Sequence, residues 1–186
     1  MMKVIDNFLP QELYDSLKES VNSENHPWFF VPQISSVDDE DYRKHYGFSC
    51  NVVKYDPPFK YERLPCTSLI YALHQKIKDE FGFKEVIRCR LDMTTYRGED
   101  EITFGPHIDM FGEDQTSIFY LTECNAPTVL YNERTQDGVI DLENLTVLEK
   151  VDAKENRVVI FEGDRIHSGM CATDVSRRIL INTNFI

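Results

Sequence analysis

Two histidines and one aspartate have the side-chain types of a metal site. His107 and Asp109 stand two residues apart in a predicted strand, Gly105 to Phe111, and alternate residues of a strand point to the same face. A His-x-Asp pattern alone recurs by chance in a chain with five histidines. The signal is stronger because His167 follows a second predicted strand, Arg157 to Glu162, and a turn. Two imidazoles and one carboxylate suit non-haem Fe(II), since they leave three positions open for O₂ and a co-substrate, whereas structural zinc has a filled coordination sphere.

An arginine eleven residues after His167 supplies a candidate anion site. Arg177 and Arg178 are neighbours at the start of the last predicted strand, so they must point to opposite faces. The face of Arg177 is largely apolar, with Ile179, Ile181 and Phe185, whereas the face of Arg178 is largely polar, with Leu180, Asn182 and Asn184. We therefore predict that Arg178 faces the site, where its guanidinium could bind the distal carboxylate of 2-oxoglutarate through two hydrogen bonds.

These residues, in this order, resemble the 2-oxoglutarate- and Fe(II)-dependent dioxygenases, and in particular the prolyl 4-hydroxylase-like branch. The resemblance covers most of the chain, from the strand and helix at residues 4–21 through the β region. It implies that His107, Asp109 and His167 bind the iron and form the catalytic centre. It also implies that Arg178 binds the co-substrate.

The same resemblance implies roles for two tyrosines. Tyr120 would donate its hydroxyl to the carboxylate that the arginine binds. Tyr96 stands eleven residues before His107, where the family often has another tyrosine in the pocket. From the residues alone, Tyr120 could equally be a strand aromatic packed in the barrel, because it and Phe119 must face opposite sides and one of the two faces inward.

The activity that the resemblance implies is the hydroxylation of a substrate C–H bond with release of succinate and CO₂. It requires Fe(II), 2-oxoglutarate and O₂, and it allows for ascorbate as a reductant. The substrate would be a small molecule or a peptide, with peptidyl proline and free proline as the first choices. Two alternatives stay open: a jelly-roll module that binds a small acid or a peptide without turnover, and a cupin-type iron oxygenase that does not use 2-oxoglutarate.

The charge balance disfavours nucleic acid as a substrate. The chain has 20 Lys and Arg against 32 Asp and Glu, a formal net charge of −12, whereas binding to phosphate backbones depends on clustered cations. Asn184 also stands where the related alkylation-repair branch typically carries a second arginine. No apolar run is long enough to cross a bilayer and no signal sequence is evident, so we expect a cytoplasmic protein that does not contact membranes.

The order of predicted elements indicates a mainly β (α+β) fold, a double-stranded β-helix or jelly roll backed by helices. We expect one domain over residues 1–186, with helical support over about 1–85 and the jelly roll over about 86–186. A short strand at residues 4–9 precedes two amphipathic helices, Gln11 to Asn22 and about Pro65 to Phe81, the second ended by Gly82. Turns separate the predicted strands: 86–96, 105–111, 116–121, 128–132, 139–142, 147–151, 157–162 and 178–185.

The remaining histidines and cysteines fit ordinary structural roles. We interpret His26, His45 and His74 as satisfied or surface side chains, with His74 partly exposed on its helix. The five cysteines form no Cys-x-x-Cys pair and should be reduced, and Cys171 should be a packing residue. The acidic run at residues 37–41 is typical of a solvated loop.

Overall fold

The structure is a computed structural model that describes residues 2–34, 44–110, 114–135 and 137–186. The acidic run at residues 37–41 therefore lies outside the described residues. Within the described ranges, no helix is long and apolar enough to span a membrane.

The described part of the chain contains ten strands and two α-helices. The helices are α1 (Gln11–Asn22) and α2 (Thr67–Phe81). The strands are, in chain order, β1 (Lys3–Ile5), β2 (Phe29–Val31), β3 (Gly47–Val53), β4 (Val86–Thr95), β5 (Gln115–Tyr120), β6 (Cys124–Arg134), β7 (Val147–Ala153), β8 (Arg157–Glu162), β9 (Arg165–Ser168) and β10 (Arg177–Phe185).

Two antiparallel sheets form the jelly roll. The larger has seven strands in the order β1-β8-β5-β10-β4-β3-β2, and the smaller has three in the order β7-β6-β9. Side chains from both sheets form one of the apolar clusters: Ile118, Tyr120, Leu130, Val151, Val159, Phe161 and Leu180. This arrangement confirms the predicted mainly β, helix-backed jelly roll.

The two helices cover the outer face of the larger sheet. Alternation along a strand sends every second residue to that face, where Phe119, Ile160 and Ile181 pack in one cluster with Leu17 of α1 and Leu73 of α2. The predicted bounds of α1 are confirmed. Helix α2 begins two residues later than predicted, and it ends as predicted, because Gly82 adopts the left-handed conformation that closes a helix, with φ of +76°.

Two predicted strands do not form. The described part of the segment 105–111 makes only one bridge, at His107, and Pro106 has no N–H group with which to extend a ladder. The segment 139–142 is a loop that leads into a short 3-10 helix. Its apolar residues are not part of the core, and Val139 is 75% exposed.

Three strands were not predicted, and they enlarge both sheets. Strands β2 and β3 extend the larger sheet beyond β4, and β9 joins the smaller sheet. Among the described strands, β2 has a neighbour on one side only. Two of its three residues, Phe29 and Phe30, are 63% and 61% exposed.

All five cysteines are free thiols. Cys171 is buried beside Ile102 and Phe104, as expected for a packing residue. The prediction that His74 is partly exposed is wrong, because the side chain is fully buried between α2 and the sheet. Its two ring nitrogens lie 2.7 Å from the hydroxyl of Tyr61 and 3.1 Å from that of Thr183.

We expect stability to decrease in acid because of His74. Burial lowers the pKa of this imidazole from an ordinary value of 6.5 to about 3. Between these two pH values the unfolded chain binds a proton that the folded chain does not bind. The free energy of unfolding should therefore decrease as the pH falls below 6.5, by up to about 1.4 kcal/mol per pH unit from this residue.

Urea unfolding at pH 7, 6, 5 and 4.5 measures this dependence. The variant His74→Leu should be less stable at pH 7, because Tyr61 and Thr183 lose a partner. Its free energy of unfolding should vary less with pH, so its difference from wild type should narrow in acid. Other titratable groups account for the pH dependence that remains in the variant. Equal slopes in the two proteins would contradict the assignment to His74.

Candidate metal centre

The structure brings His107, Asp109 and His167 together. One potential ligand atom from each lies within 4.8 Å of those of the other two. The loop that carries His107 is joined to β9 by two backbone hydrogen bonds, in which His107 and His167 each donate an N–H to the carbonyl of the other at 2.9 Å. The two imidazole rings consequently lie side by side, with centroids 4.6 Å apart.

Backbone carbonyls orient both imidazoles. Nδ1 of His107 lies 2.9 Å from the carbonyl oxygen of Gly105, and Nδ1 of His167 lies 3.1 Å from that of Arg165. A carbonyl oxygen can only accept, so each Nδ1 carries the hydrogen and each neutral ring keeps a lone pair on Nε2. This tautomer is the one that metal-binding histidines need, and it is fixed here by the main chain.

Asp109 is held by hydrogen bonds from two strands of the larger sheet. Nδ2 of Asn182 on β10 donates to Oδ2 at 2.8 Å, and Nη1 of Arg88 on β4 lies 3.4 Å from Oδ1. Oδ2 also lies 3.5 Å from Nε2 of His167. Oδ2 of Asp109 and Nε2 of His167 both carry lone pairs that repel each other, so a proton or a cation shared between them would stabilise this contact.

The electrostatics of the cluster favour a bound cation at neutral pH. Burial, and then the neighbouring His167, lowers the pKa of His107 to about 4. Burial opposes the ionisation of Asp109, but its contacts with His167 and Arg88 outweigh that effect and hold its pKa well below the ordinary value. The cluster therefore presents a neutral imidazole and a buried carboxylate, which are the protonation states that metal binding requires.

A pocket lined by His107 and His167 also contains Arg178. It is lined by Val31, Ile34, Phe48, Arg90, Asp92, Met93, Thr94, Phe104, His107, Ile118, Thr128, His167, Gly169, Arg178, Leu180 and Asn182. Nε of the buried Arg178 donates to the carbonyl of Ala126 at 3.1 Å, and Nη2 lies 3.3 Å from Oγ1 of Thr128. Arg177 is exposed outside the pocket. The strand orientation predicted for the two arginines is confirmed.

Tyr120 and Phe119 face opposite sides of β5, and Tyr120 faces the interior between the sheets. Its hydroxyl donates to Oγ1 of Thr128 at 2.7 Å, and its ring centroid lies 5.7 Å from the guanidinium carbon of Arg178. Of this group, Thr128 and Arg178 line the pocket. Tyr120 thus supports the pocket from behind Thr128.

Tyr96 is not part of the pocket, and the position predicted for it is corrected here. Strand β4 ends at Thr95, so Tyr96 lies beyond the sheet. The side chain is 44% exposed and its hydroxyl donates to Glu99 at 2.9 Å. The spacing between Tyr96 and His107 would place Tyr96 in the pocket only if β4 continued through it, and the strand ends one residue before Tyr96.

The sequence prediction missed a row of polar residues on β4. Arg88, Arg90, Asp92 and Thr94 alternate with residues of the other face, of which Cys89 and Leu91 are buried and Met93 is half-buried, and the last three of the polar residues line the pocket. A polar residue at every second position of an otherwise buried strand is the signal that could have revealed them. Three of these polar side chains therefore face the same pocket as His107 and His167.

No protein-family model and no curated protein matches this chain. Its structure is nevertheless similar to solved structures. An oxidoreductase of the 2OG-Fe(II) oxygenase family from Burkholderia pseudomallei is 11% identical, with a TM-score of 0.64 over 99% of this chain and 84% of that one.

A prolyl hydroxylase from Trichoplax adhaerens, in complex with a hypoxia inducible factor peptide fragment, is 16% identical, with a TM-score of 0.63 over 100% of this chain and 83% of that one. The alpha ketoglutarate dependent epimerase SnoN from nogalamycin biosynthesis is 10% identical, with a TM-score of 0.65 over 100% and 78%. The chain therefore has the fold of the 2OG-Fe(II) oxygenases.

Proposed function

We propose that this protein is an Fe(II)- and 2-oxoglutarate-dependent dioxygenase that hydroxylates a C–H bond of its substrate and releases succinate and CO₂. The observation that carries the proposal is the convergence of His107, Asp109 and His167 within 4.8 Å, beside a pocket that contains the buried Arg178. Two imidazoles and a carboxylate fit Fe(II), and a buried guanidinium fits a dicarboxylic acid.

The three ligands have separate tasks in this mechanism. His107 and His167 would bind Fe(II) through Nε2, because Nδ1 of each is engaged by a backbone carbonyl. Asp109 would supply the anionic ligand, and Asn182 and Arg88 keep its carboxylate in place. When bound, Fe(II) with 2-oxoglutarate supplies the oxidising chemistry with O₂, and ascorbate would serve as a reductant for inactive iron.

The deeper part of the pocket would bind the co-substrate. Arg178 provides the charge for its distal carboxylate, and Thr128, which receives hydrogen bonds from both Arg178 and Tyr120, places a hydroxyl at the same point. The role proposed for Tyr120 is to orient Thr128. The apolar side chains of Ile118 and Leu180 exclude water beside these groups.

The substrate is a small molecule or a peptide. The prolyl hydroxylase with the same fold was solved with a peptide, which supports a prolyl substrate, either in a peptide or as free proline. The same fold also occurs in an epimerase. Hydroxylation is therefore part of the proposal. An assay must identify the hydroxylated product as well as measure the loss of 2-oxoglutarate.

We expect slow formation of succinate from 2-oxoglutarate by the iron-loaded protein alone, and faster formation with the correct substrate. The reason is that three protein ligands would leave room on the iron for 2-oxoglutarate and O₂, and that Arg178 would hold the co-substrate beside it. Succinate is measured by chromatography with and without candidate peptides and amino acids. No succinate with any of them, together with no 2-oxoglutarate binding by calorimetry, would favour the binding-module alternative. Oxygen consumption without succinate would favour the cupin-type alternative.

A further inference from the structure

The pocket contains a second arginine, Arg90, that the proposed binding of iron and 2-oxoglutarate does not use. On the larger sheet, Arg178 pairs with Thr94 and Asn182 pairs with Arg90. The two arginines are therefore offset by about four residues along the strands, or roughly 13 Å. The pocket thus has two cationic positions at different points along the strands.

Arg90 lies next to the metal ligands. Its cross-strand partner Asn182 donates directly to Asp109. Arg178 lies on the other side of the pocket, where Thr128 and Tyr120 contact it. An anion bound at Arg90 would therefore be close to the metal and away from the co-substrate anchor.

Arg90 and Asp92 form an ion pair on the pocket wall. Nε of Arg90 lies 2.5 Å from Oδ1 of Asp92, and the two side chains are 28% and 23% exposed. Among the described residues, Asp92 is the only hydrogen-bond or ion-pair partner of Arg90. The pair thus leaves the terminal guanidinium nitrogens and the second carboxylate oxygen available to a ligand with charges of both signs.

The pocket that contains this pair also has apolar walls, to which Val31, Ile34 and Phe48 contribute. The residues opposite the pair on the neighbouring strands are Asn182 and Asn51 for Arg90, and Leu180 and Ser49 for Asp92. An exposed ion pair in water contributes little to stability, and a partly buried one pays for its lost hydration. A charged pair in a pocket that also has apolar walls is well explained by recognition of a ligand that has an ionic end and an apolar body.

We propose that Arg90 binds the carboxylate and Asp92 the ammonium group of a free amino acid, whose apolar part contacts the surrounding walls. This assignment rests on the proposed function and selects its substrate class. A residue inside a peptide has neither charge next to its side chain. The geometry therefore favours a free apolar amino or imino acid over an internal peptide position.

The experiment compares L-proline, L-leucine, L-methionine and L-phenylalanine with their primary amides and N-acetyl derivatives. Succinate formation by the iron-loaded protein is one measurement. Saturation-transfer NMR of the same compounds with protein free of added metal and 2-oxoglutarate is the other. We expect at least one free amino acid to bind and to stimulate succinate formation, and its amide and N-acetyl forms to have kcat/KM at least about 10-fold lower.

Variants of the pair test the same contacts from the protein side. Arg90→Gln should raise the KM of the active amino acid about 10- to 100-fold and should leave the weak binding of its amide unchanged, since the amide has no carboxylate to lose. Arg90→Lys should restore part of the affinity. Arg177→Gln, at an exposed arginine on the opposite face of β10, is the matched control and should behave as wild type.

The outcomes separate this assignment from the proposed function. If amides, N-acetyl forms or internal peptides act as well as free amino acids, or if no free amino acid binds or stimulates, the assignment of Arg90 and Asp92 is wrong. If succinate forms with another compound and Arg90→Gln has no effect, the assignment is also wrong, while the dioxygenase function stands. If amino acids bind in an Arg90-dependent way but no succinate ever forms, the assignment stands and the dioxygenase function fails.

Discussion

Replacing Asp109 with alanine should abolish Fe(II) binding and succinate formation. Asp109 is the only anionic member of the three-residue cluster, and its removal also leaves the Arg88 guanidinium without its carboxylate partner, held among the described residues only by Asn184. The remaining histidines would hold a divalent cation against an adjacent positive charge. We expect the affinity for Fe(II) to decrease by at least about 100-fold, because changes to residues that merely support a ligand already cost 10- to 100-fold.

Anaerobic titration with Fe(II), followed by calorimetry, measures the affinity. Asp152→Ala removes a carboxylate from an exposed position of β7 and is the matched control. Circular dichroism of Asp109→Ala verifies that the sheets are intact. Wild-type affinity for Fe(II) in Asp109→Ala would show that the metal binds elsewhere.

Replacing Arg178 with leucine should raise the KM for 2-oxoglutarate and lower turnover by one or more orders of magnitude, whereas Arg177→Leu should stay near wild type. Losing a buried, hydrogen-bonded charge pair costs about 2 to 5 kcal/mol of binding free energy. Arg178 is buried in the pocket, and Arg177 is exposed on the other face of the same strand. The two variants thus make the same chemical change once on the face of β10 that lines the pocket and once on the opposite face.

Arg178 also donates to the carbonyl of Ala126, so its replacement can reduce stability as well as co-substrate binding. Thermal unfolding of both variants separates these effects, and Arg178→Lys, which keeps the charge, should retain more affinity for 2-oxoglutarate than the leucine variant. An effect on KM in Arg177→Leu alone would transfer the anchor to Arg177.

The sequence was most informative where a periodic pattern coincided with a residue that begins or ends a helix. Helix α1 was predicted to the residue, because leucine and valine recur at spacing four after Pro10. The orientation of Arg178 followed from alternation along a long buried strand. These features depend on local geometry, which a single segment determines.

Features that depend on partners distant in sequence were less accessible. Strand β2 has three residues and exists because β3 pairs with it. The loop residues His107 and Asp109 come together without a strand, through the bridge to His167 and the hydrogen bond from Asn182. Their convergence was predicted from a strand alternation that does not exist there, and contacts between distant segments produce it instead.

The exposed edge at β2 affects how copies of this protein behave towards one another. Among the described strands, β2 pairs with β3 alone. A strand in that position can present unpaired backbone groups, and Phe29 and Phe30 add apolar surface to it. The net charge of −12 keeps molecules apart in dilute neutral buffer. Salt screens that repulsion and acid neutralises the carboxylates, so concentrated solutions should lose colloidal stability under either condition, through edge-to-edge contacts at this strand.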